Sequence, residues 1–570
     1  MEKQTAAVYS EYNDPVPRKN RGCFGNFIDG FKQADIPKVD GLTDEEVRLY
    51  ITEKAPLKRG LKARHLTMLA IGGSIGSGLF IGSGSSFASG GPAGVVIAFS
   101  VVGLMLFAVM QCLGELCVRF PVQGSFYMYA QRFMDESWGF ALGWNYALQW
   151  ITTLPLELIA AATILDFWNA DNNGATNVNK AAWIALFYSF IVFVNVFGVR
   201  GYGESEFILS IIKVFAVIGF CIFGIVAING GAGNRRTFGS TYWHDPGAFA
   251  AGFKGVCTCF VNAAFAFSGS EMAGLAASET DNPAKNLPKA VKQVFWRICL
   301  FYVGSLTIVS FLVPYTDPRL GTYSDGRSSP FVIAITETGV HALPSIFNTV
   351  ILLSTLSVAN TSVYATSRVL TALACEGQAP KIFSYIDRQG RPLFSVIVTL
   401  LVGLLGFLVA TTKYNEIFNW LLAFSGLSVL FTYASICICH FRFRQALDYH
   451  NIPTSDLVFK AMGGKFIAAF GAIGLIVILA LQFWVALWPI GAKPNASDFF
   501  QIYLGFPVIF AFYFAHKIWY RTSWFIRCKD MEVESTLNKT DLAVQLQQAR
   551  EWNAEVANKS WPLRMWHLWC

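Results

Sequence analysis

AIGGSIGSGLFIGSG at residues 70–84 and FAFSGSEMAG at residues 265–274 are the two stretches that decide the fold. Each places glycine and serine inside an otherwise apolar run. Within the first stretch, seven residues contain four glycines: Gly72, Gly73, Gly76 and Gly78. Because each glycine weakens a helix by about 1 kcal/mol, this density predicts that the helix is interrupted there.

The overall composition places these interruptions inside a membrane. Hydrophobic residues make up 54% of the 570 residues and charged residues only 14%, against about 25% charged residues in ordinary soluble proteins. The 50 Phe and 16 Trp present more apolar surface than a soluble protein of this length could bury. The composition therefore excludes a soluble enzyme, a nucleic-acid-binding protein and a disordered scaffold.

Twelve apolar runs are long enough, at about 18 residues or more, to cross a bilayer as helices. Their bounds, with a tolerance of about three residues, are 66–88, 93–117, 138–168, 182–198, 207–229, 254–275, 294–314, 343–371, 393–411, 416–440, 466–488 and 499–519. We therefore predict an all-α polytopic membrane protein with a tail at 1–60, a twelve-helix domain at 61–520 and a second tail at 521–570. Most of the 44 Lys and Arg residues then fall in the tails and in the loops on the same side, so both tails are predicted to be cytoplasmic.

The interrupted spans indicate where a ligand binds. Unpaired backbone groups are so costly in lipid that a broken helix survives only where it lines a cavity. For a single span, close helix packing through small residues is the alternative. Two such spans, each first in a set of five, favour an inverted repeat with a site near the middle of the membrane. Free N–H groups attract an anion and free carbonyls a cation, so the expected ligand is a zwitterion such as a free amino acid.

Among the charged residues within predicted spans or at their ends, five are interpreted individually. Lys213 has two interpretations: its stem could carry the amine to the cytoplasmic face, or the amine is buried and exchanges a proton during transport. Glu157 and Glu271 are further candidates for proton coupling. Glu115 is expected to be a solvated carboxylate near the inner interface, and Arg368 an interfacial anchor.

Other chemistries have no support in the sequence. The 12 Cys fall mostly in apolar runs and are interpreted as small buried hydrophobic residues, since neither they nor the histidines show metal-ligand spacing. No phosphate-binding GxxxxGK[ST], GxSxG or HExxH motif occurs. We therefore expect no metal, no cofactor and no enzyme activity.

The order of these features resembles the fungal amino acid permeases, the yeast amino acid transporter family of the amino acid–polyamine–organocation superfamily. The general, broad-specificity permeases are the subgroup it resembles most. The motifs that carry the resemblance are RHLTMLAIGGSIGSGLFIGSG (64–84), GELCVRFPVQGSF (114–126), PLELIAAA (155–162), EFILSIIKVFAVIGF (206–220), FAFSGSEMAGLAASETDNPAKNLPKAV (265–291), SVANTSVYATSRVLTALACEGQAPKIFSYIDRQGRP (357–392) and NWLLAFSGLS (419–428).

The resemblance implies a leucine-transporter-like fold in which spans 1–5 and 6–10 are inverted repeats and spans 11 and 12 are appended. It also implies proton-coupled uptake of L-amino acids across the plasma membrane. Lys213 falls where sodium-coupled relatives hold a sodium ion, so its ammonium would replace that ion.

The resemblance also assigns the substrate site. The substrate carboxylate would meet backbone N–H groups at three residues: Gly76, Ser77 and Gly78. The ammonium would meet carbonyls near Ser74 and around Phe267 and Ser268. The substrate side chain would face Phe265, Glu271 and Ser425.

The tails carry further expectations. Cys570 ends the chain in WHLWC, which is similar to a terminus that is palmitoylated in this family, although Leu568 stands where the family has Phe. Lysines of the N-terminal tail resemble the ubiquitin acceptors through which such permeases are withdrawn and cycled through endosomes and the endoplasmic reticulum: Lys3, Lys19 and Lys32. A merely charged disordered tail is the alternative. Residues 23–33 and 540–558 are candidate short helices for docking on inner loops.

One alternative function remains open at this point. The chain could be a receptor that binds amino acids without moving them. Such relatives usually carry a long N-terminal extension, whereas the polar tail here is about 60 residues. A polyamine or nucleobase transporter would require acidic or amide-rich cavity chemistry that the sequence lacks.

Overall fold

The computed structural model describes residues 31–32, 63–122, 124–171, 178–276, 283–321, 328–410, 414–524, 526–533 and 547. Regular structure in these ranges is helical, apart from an isolated bridge between Asn229 and Thr237. The α-helices are α1 Ala63–Gly72, α2 Ser83–Arg119, α3 Phe126–Phe133, α4 Glu136–Ile164, α5 Lys180–Val196, α6 Gly198–Ile228, α7 Gly252–Phe267, α8 Met272–Leu275, α9 Pro283–Arg297, α10 Ser305–Leu312, α11 Pro330–Glu337, α12 Leu343–Cys375, α13 Leu393–Gly403, α14 Tyr414–Tyr449, α15 Gly464–Leu487, α16 Ala496–Tyr503 and α17 Gly505–Tyr520.

The lengths of these helices fit a multi-pass membrane protein. In the described part of the chain, seven helices are long and apolar enough to span a bilayer, and an eighth results if α16 and α17, which meet at a 68° bend, form one span. Two shorter apolar helices cover Lys180–Val196 and Leu393–Val409. Each of the twelve predicted runs overlaps helix, but the broken and short ones fall below the length of a full span.

Several predicted boundaries are wrong, and two of them show that hydropathy marks only the apolar part of a helix. The helix of the predicted run 294–314 begins earlier, at Pro283. The helix of the run 416–440 continues to Tyr449. In both cases the extra turns are polar.

The burial of the helices separates a centre from a periphery. Most of the apolar part of α4, α12 and α14 is buried inside the protein, whereas most of α6 and α15 is exposed. On α6, Ile208, Phe215 and Ile222 are exposed and seven residues apart, so they form a stripe along one face. An apolar stripe of this kind is expected to face lipid.

Both predicted interruptions are confirmed. α1 ends at Gly72, and a π-helical turn, Gly78–Gly82, restarts the chain toward α2. α7 ends at Phe267, and the short α8 begins at Met272. A second change of direction occurs inside α2, where Gly91 has a φ of 72°. A Cβ there would lie 2.7 Å from the backbone nitrogen of Ala250, so this position requires glycine.

One end of the helix bundle, which we call the tail face, contacts the described parts of both tails. Residues 526–533 lie along it: the amide of Ile526 donates to the carbonyl of Met134 (3.0 Å), and Arg132 pairs with Glu532 (2.8 Å). On another part of this face, the Tyr385 hydroxyl donates to the carbonyl of Phe31 (2.9 Å). The segment 540–558 lies outside the described residues, save Gln547.

Glu115 is buried rather than solvated, so the expectation for this residue was wrong. Its carboxylate is 1% exposed and pairs with Arg444 (2.6 Å) and His440 (3.0 Å), both from α14. The same carboxylate accepts the amide of Ala461 at 2.7 Å. Hydropathy cannot anticipate this burial, because the partners are more than 300 positions away in the sequence.

We predict that Arg444→Met destabilises the fold by about 3–5 kcal/mol, because it removes a cation from a buried carboxylate. Lys465→Met is the matched control, since it also removes a cation from an ion pair, but Lys465 and its partner Asp448 both have exposed side chains. Its cost should stay below about 1 kcal/mol. Thermal unfolding of both variants in detergent measures the difference, and equal shifts would contradict the structural role of the Glu115 pair.

Candidate functional site

The break after α1 leaves a row of backbone donors without partners. The amide groups of Gly76, Ser77 and Gly78 are buried and find no acceptor among the described residues. Consecutive free N–H groups at the start of a helical turn attract an anion, because they add to the positive end of the helix dipole. This part of the site can therefore hold a carboxylate.

The glycines of this break allow two close helix contacts. A Cβ on Gly76 would lie 2.5 Å from Cγ2 of Val358 in α12, and a Cβ on Gly78 would lie 2.6 Å from Cα of Ala266 in α7. Both distances are shorter than a side chain tolerates. The sequence therefore uses glycine to bring the backbone donors into the space between α7 and α12.

Glu157 lies directly behind these donors. The Ser77 hydroxyl donates to Oε1 of Glu157 at 2.6 Å, and the carboxylate is 1% exposed. Oε2 has no hydrogen-bond partner in the described part of the chain. A buried carboxylate with one free oxygen beside an anion-binding turn is suited to carrying a proton.

The break after α7 is organised around Glu271, which is completely buried. Its two oxygens accept the amide of Gly269 (3.2 and 3.1 Å), and they also accept the hydroxyls of Tyr146 (3.0 Å) and Tyr433 (2.9 Å). The carboxylate that is predicted to face a substrate side chain thus has four hydrogen bonds from protein donors. Glu271 holds the turn between α7 and α8.

Lys213 is fully buried between two helices. Its ammonium donates to the carbonyl of Gly72 (2.8 Å) and to the hydroxyl of Ser357 (2.7 Å), so it joins the end of α1 to α12. Glu206 provides the counter-charge at 3.4 Å and also accepts from Ser357 at 2.5 Å. The interpretation in which the amine reaches the surface does not describe this arrangement.

The remaining candidate residues lie on α7, at its end, and on α14, next to polar side chains of α4. Ser425 of α14 lies 3.3 Å from the Thr153 hydroxyl, and the Gln149 amide donates to the partly buried Ser268 at 3.0 Å. The ring of Phe265 would be 3.0 Å from a Cβ on Gly78. The residues predicted to bind substrate are therefore brought together around the two breaks.

Sequence reasoning missed several residues of this site. On α4 it missed Tyr146, Gln149 and Thr153, which recur every three or four positions together with the predicted Glu157, and this polar stripe in an apolar helix is a signal that the sequence offers. No comparable pattern marks Glu206, Tyr302 or Tyr433. The partners of Tyr302 and Tyr433 lie on other helices, and Glu206 accepts from Ser357 of α12 as well as from its own helix.

Other predicted residues lie apart from this site. The guanidinium of Arg368 lies 4.2 Å from the ring of Tyr364, on α12. The carbonyl of Lys32 accepts from the amide of Arg388 at 2.8 Å on the tail face. Lys3, Lys19 and Cys570 lie outside the described residues.

Comparison with known proteins identifies the family. The sequence profile of the family described as "Amino acid permease" matches residues 65–526. The general amino-acid permease GAP2 of Candida albicans is 50% identical over 571 residues, covering 99% of this chain and 95% of that protein. The general amino-acid permease GAP1 of Saccharomyces cerevisiae is 47% identical over 555 residues, covering 96% and 91%.

A solved structure has the same fold. The manganese transporter of Eremococcus coleocola aligns over 91% of this chain and 99% of its own, with a TM-score of 0.50 and 10% sequence identity. At this identity the similarity concerns the fold alone. The profile and the two relatives confirm the family resemblance found in the sequence. The chain therefore belongs to the amino acid permease family and is a multi-pass membrane transporter, not an enzyme.

Proposed function

We propose that this protein imports L-amino acids of broad specificity together with protons across the plasma membrane. The observation that carries the proposal is the row of unpaired amides at Gly76, Ser77 and Gly78, next to the carbonyl end of α7. An α-amino acid presents a carboxylate and an ammonium one carbon apart, which matches donors and acceptors in this arrangement. The names of the relatives, general amino-acid permeases, support both the substrate class and its breadth.

Proton coupling rests on three buried groups. Lys213 holds α1 to α12 while it is protonated, because only the ammonium can donate to Gly72, Ser357 and Glu206 together. Release of its proton toward the cytoplasm weakens this link and lets α1 move. Glu157 and Glu271 are the alternative carriers, and the free Oε2 favours Glu157.

The architecture we infer has twelve crossings. Two inverted repeats of five helices place the breaks at equivalent positions, and α15 with α16–α17 forms the appended pair. The tail face is then cytoplasmic, which fits its basic loops. Acylation of Cys570 would pin the C-terminal tail to the membrane, and ubiquitin ligase acting on tail lysines would remove the protein from the surface.

The alternative function, a receptor that binds amino acids without transport, gains no support. The relatives named above are permeases over nearly the full length of this chain.

The proposed function is tested by reconstituting the protein in vesicles with an imposed pH gradient. Labelled amino acid should accumulate when the side that corresponds to the outside is acidic, by up to about tenfold per pH unit for one proton. Competition by the other amino acids measures the breadth of specificity. Equal uptake with and without the gradient would overturn proton coupling. Binding without uptake would favour the alternative function, a receptor that does not transport.

We predict that Gly76→Val lowers uptake by about ten- to 100-fold, because overpacking against Val358 distorts the amide row. Gly219→Val is the matched control: Gly219 lies on exposed α6, where a Cβ would meet nothing within 4 Å. Uptake per molecule at the surface is the measurement. Ser77→Leu, which fills the same turn, should abolish uptake. Normal uptake with unchanged apparent affinity in these variants would exclude this break as the substrate site.

We predict that the double variant Lys213→Met/Glu206→Gln binds and exchanges amino acids but does not accumulate them against a gradient. The second substitution avoids leaving Glu206 as an unpaired buried charge. Lys254→Met is the control, since Lys254 stacks on Trp484 away from the site. If the double variant accumulates substrate with the wild-type pH profile, coupling lies elsewhere and Glu157 is next.

A further inference from the structure

A single hydroxyl connects the two helix breaks. Tyr302 is fully buried in the π-helical turn Ile298–Gly304, between α9 and α10. Its oxygen lies 3.1 Å from the carbonyl oxygen of Ser74 and 2.8 Å from that of Ala266. The Ser74 hydroxyl lies 3.2 Å from the same oxygen. The breaks of α1 and α7 are thus held together by one side chain from a third helix.

The two carbonyls lie at the same electrical end of their helices. Ser74 follows the C-terminus of α1, and Ala266 lies in the last turn of α7. Helix C-termini carry a partial negative charge, about half an elementary charge each. Two such ends meeting at one point favour a cation there. This is the part of the site that suits the ammonium of an amino acid.

Hydrogen-bond capacity leaves room for a ligand. A hydroxyl has one hydrogen to donate, whereas each carbonyl oxygen has two lone pairs. The single hydrogen of Tyr302 is shared between the two carbonyls, so each carbonyl keeps at least one lone pair for a ligand, and the Tyr302 oxygen can accept the hydrogen of the Ser74 hydroxyl. The ring is fixed by Phe267, whose centroid lies 4.4 Å away. The hydroxyl is consequently held in place by its own packing.

We propose that Tyr302 is a positioning residue for the substrate ammonium. Its hydroxyl holds the Ser74 and Ala266 carbonyls in the orientation in which they receive the amino group. The role rests on the proposed function, and it concerns the group that all amino acids share. Tyr302 should therefore affect every substrate to the same extent, whatever its side chain.

The test compares Tyr302→Phe, which keeps the ring and removes only the hydroxyl, with Tyr127→Phe. Tyr127 is an equally buried tyrosine whose hydroxyl has no partner among the described residues. In Tyr302→Phe, KM should rise by about three- to tenfold for each of three transported amino acids with different side chains. Maximal uptake per surface molecule should change little, and Tyr127→Phe should match the wild type.

A second measurement isolates the amino group. L-leucine and its 2-hydroxy acid analogue compete with labelled substrate, and the analogue has a neutral hydroxyl in place of the ammonium. The wild-type preference for leucine over the analogue should shrink in Tyr302→Phe by the same factor as KM rises. If Tyr302→Phe does not reach the membrane, Ser74→Ala is the second variant. It removes the serine hydroxyl that lies 3.2 Å from the Tyr302 oxygen and keeps both carbonyls, so it should produce a smaller change in the same direction.

Four results would overturn the inference. They are an unchanged KM with only less protein at the surface, a KM that falls, an effect that depends on the substrate side chain, and an equal loss for leucine and the analogue. A fall would mean that the hydroxyl competes with the ammonium. Absence of any uptake by the wild type would refute the proposed function instead, so the two failures are distinguishable.

Discussion

Backbone groups that face neither water nor a helical partner are the constraint on which this structure depends. The chain ends α1 at Gly72 and α7 at Phe267 in the middle of apolar runs, where solvation from lipid is impossible. Other helices supply most of the missing partners. Tyr302 and Tyr433 serve carbonyls, and Glu271 serves the amide of Gly269. The amides at residues 76–78 have no partner among the described residues, and the proposed binding position rests on this difference.

Buried charged side chains are likewise stabilised by partners close to them. Lys213 is buried together with Glu206, and Glu115 with Arg444 and His440, so each buried charge on these helices has a partner within 3.4 Å. One cluster joins α1, α6 and α12, and the other joins α2 and α14. Each cluster therefore ties together helices that are distant in the sequence. The burial of both clusters makes their pairing a condition for the packing of these helices.

The sequence predicts the class, the helical runs and both breaks, because composition and glycine density are local properties. It also locates Lys213 and Glu157, since a charged residue in an apolar run is conspicuous. It does not reveal what those charges contact. The sequence predicts a solvated Glu115, although this carboxylate is buried, because its partners depend on how distant helices pack. Tyr302 and Tyr433 had no signal, since tyrosine is common in apolar helices.

The close contact at Gly78, where a Cβ would lie 2.6 Å from the backbone of α7, has an evolutionary consequence. The part of the site suited to the amino acid head group is built from main chain, and a main-chain wall cannot be altered by ordinary substitutions. Ser425 and Phe265, in contrast, contribute side chains, so a substitution at either position changes the shape of the site. A family built on this scaffold can therefore change its substrate specificity through single side-chain substitutions. The main-chain groups suited to the shared head group stay the same.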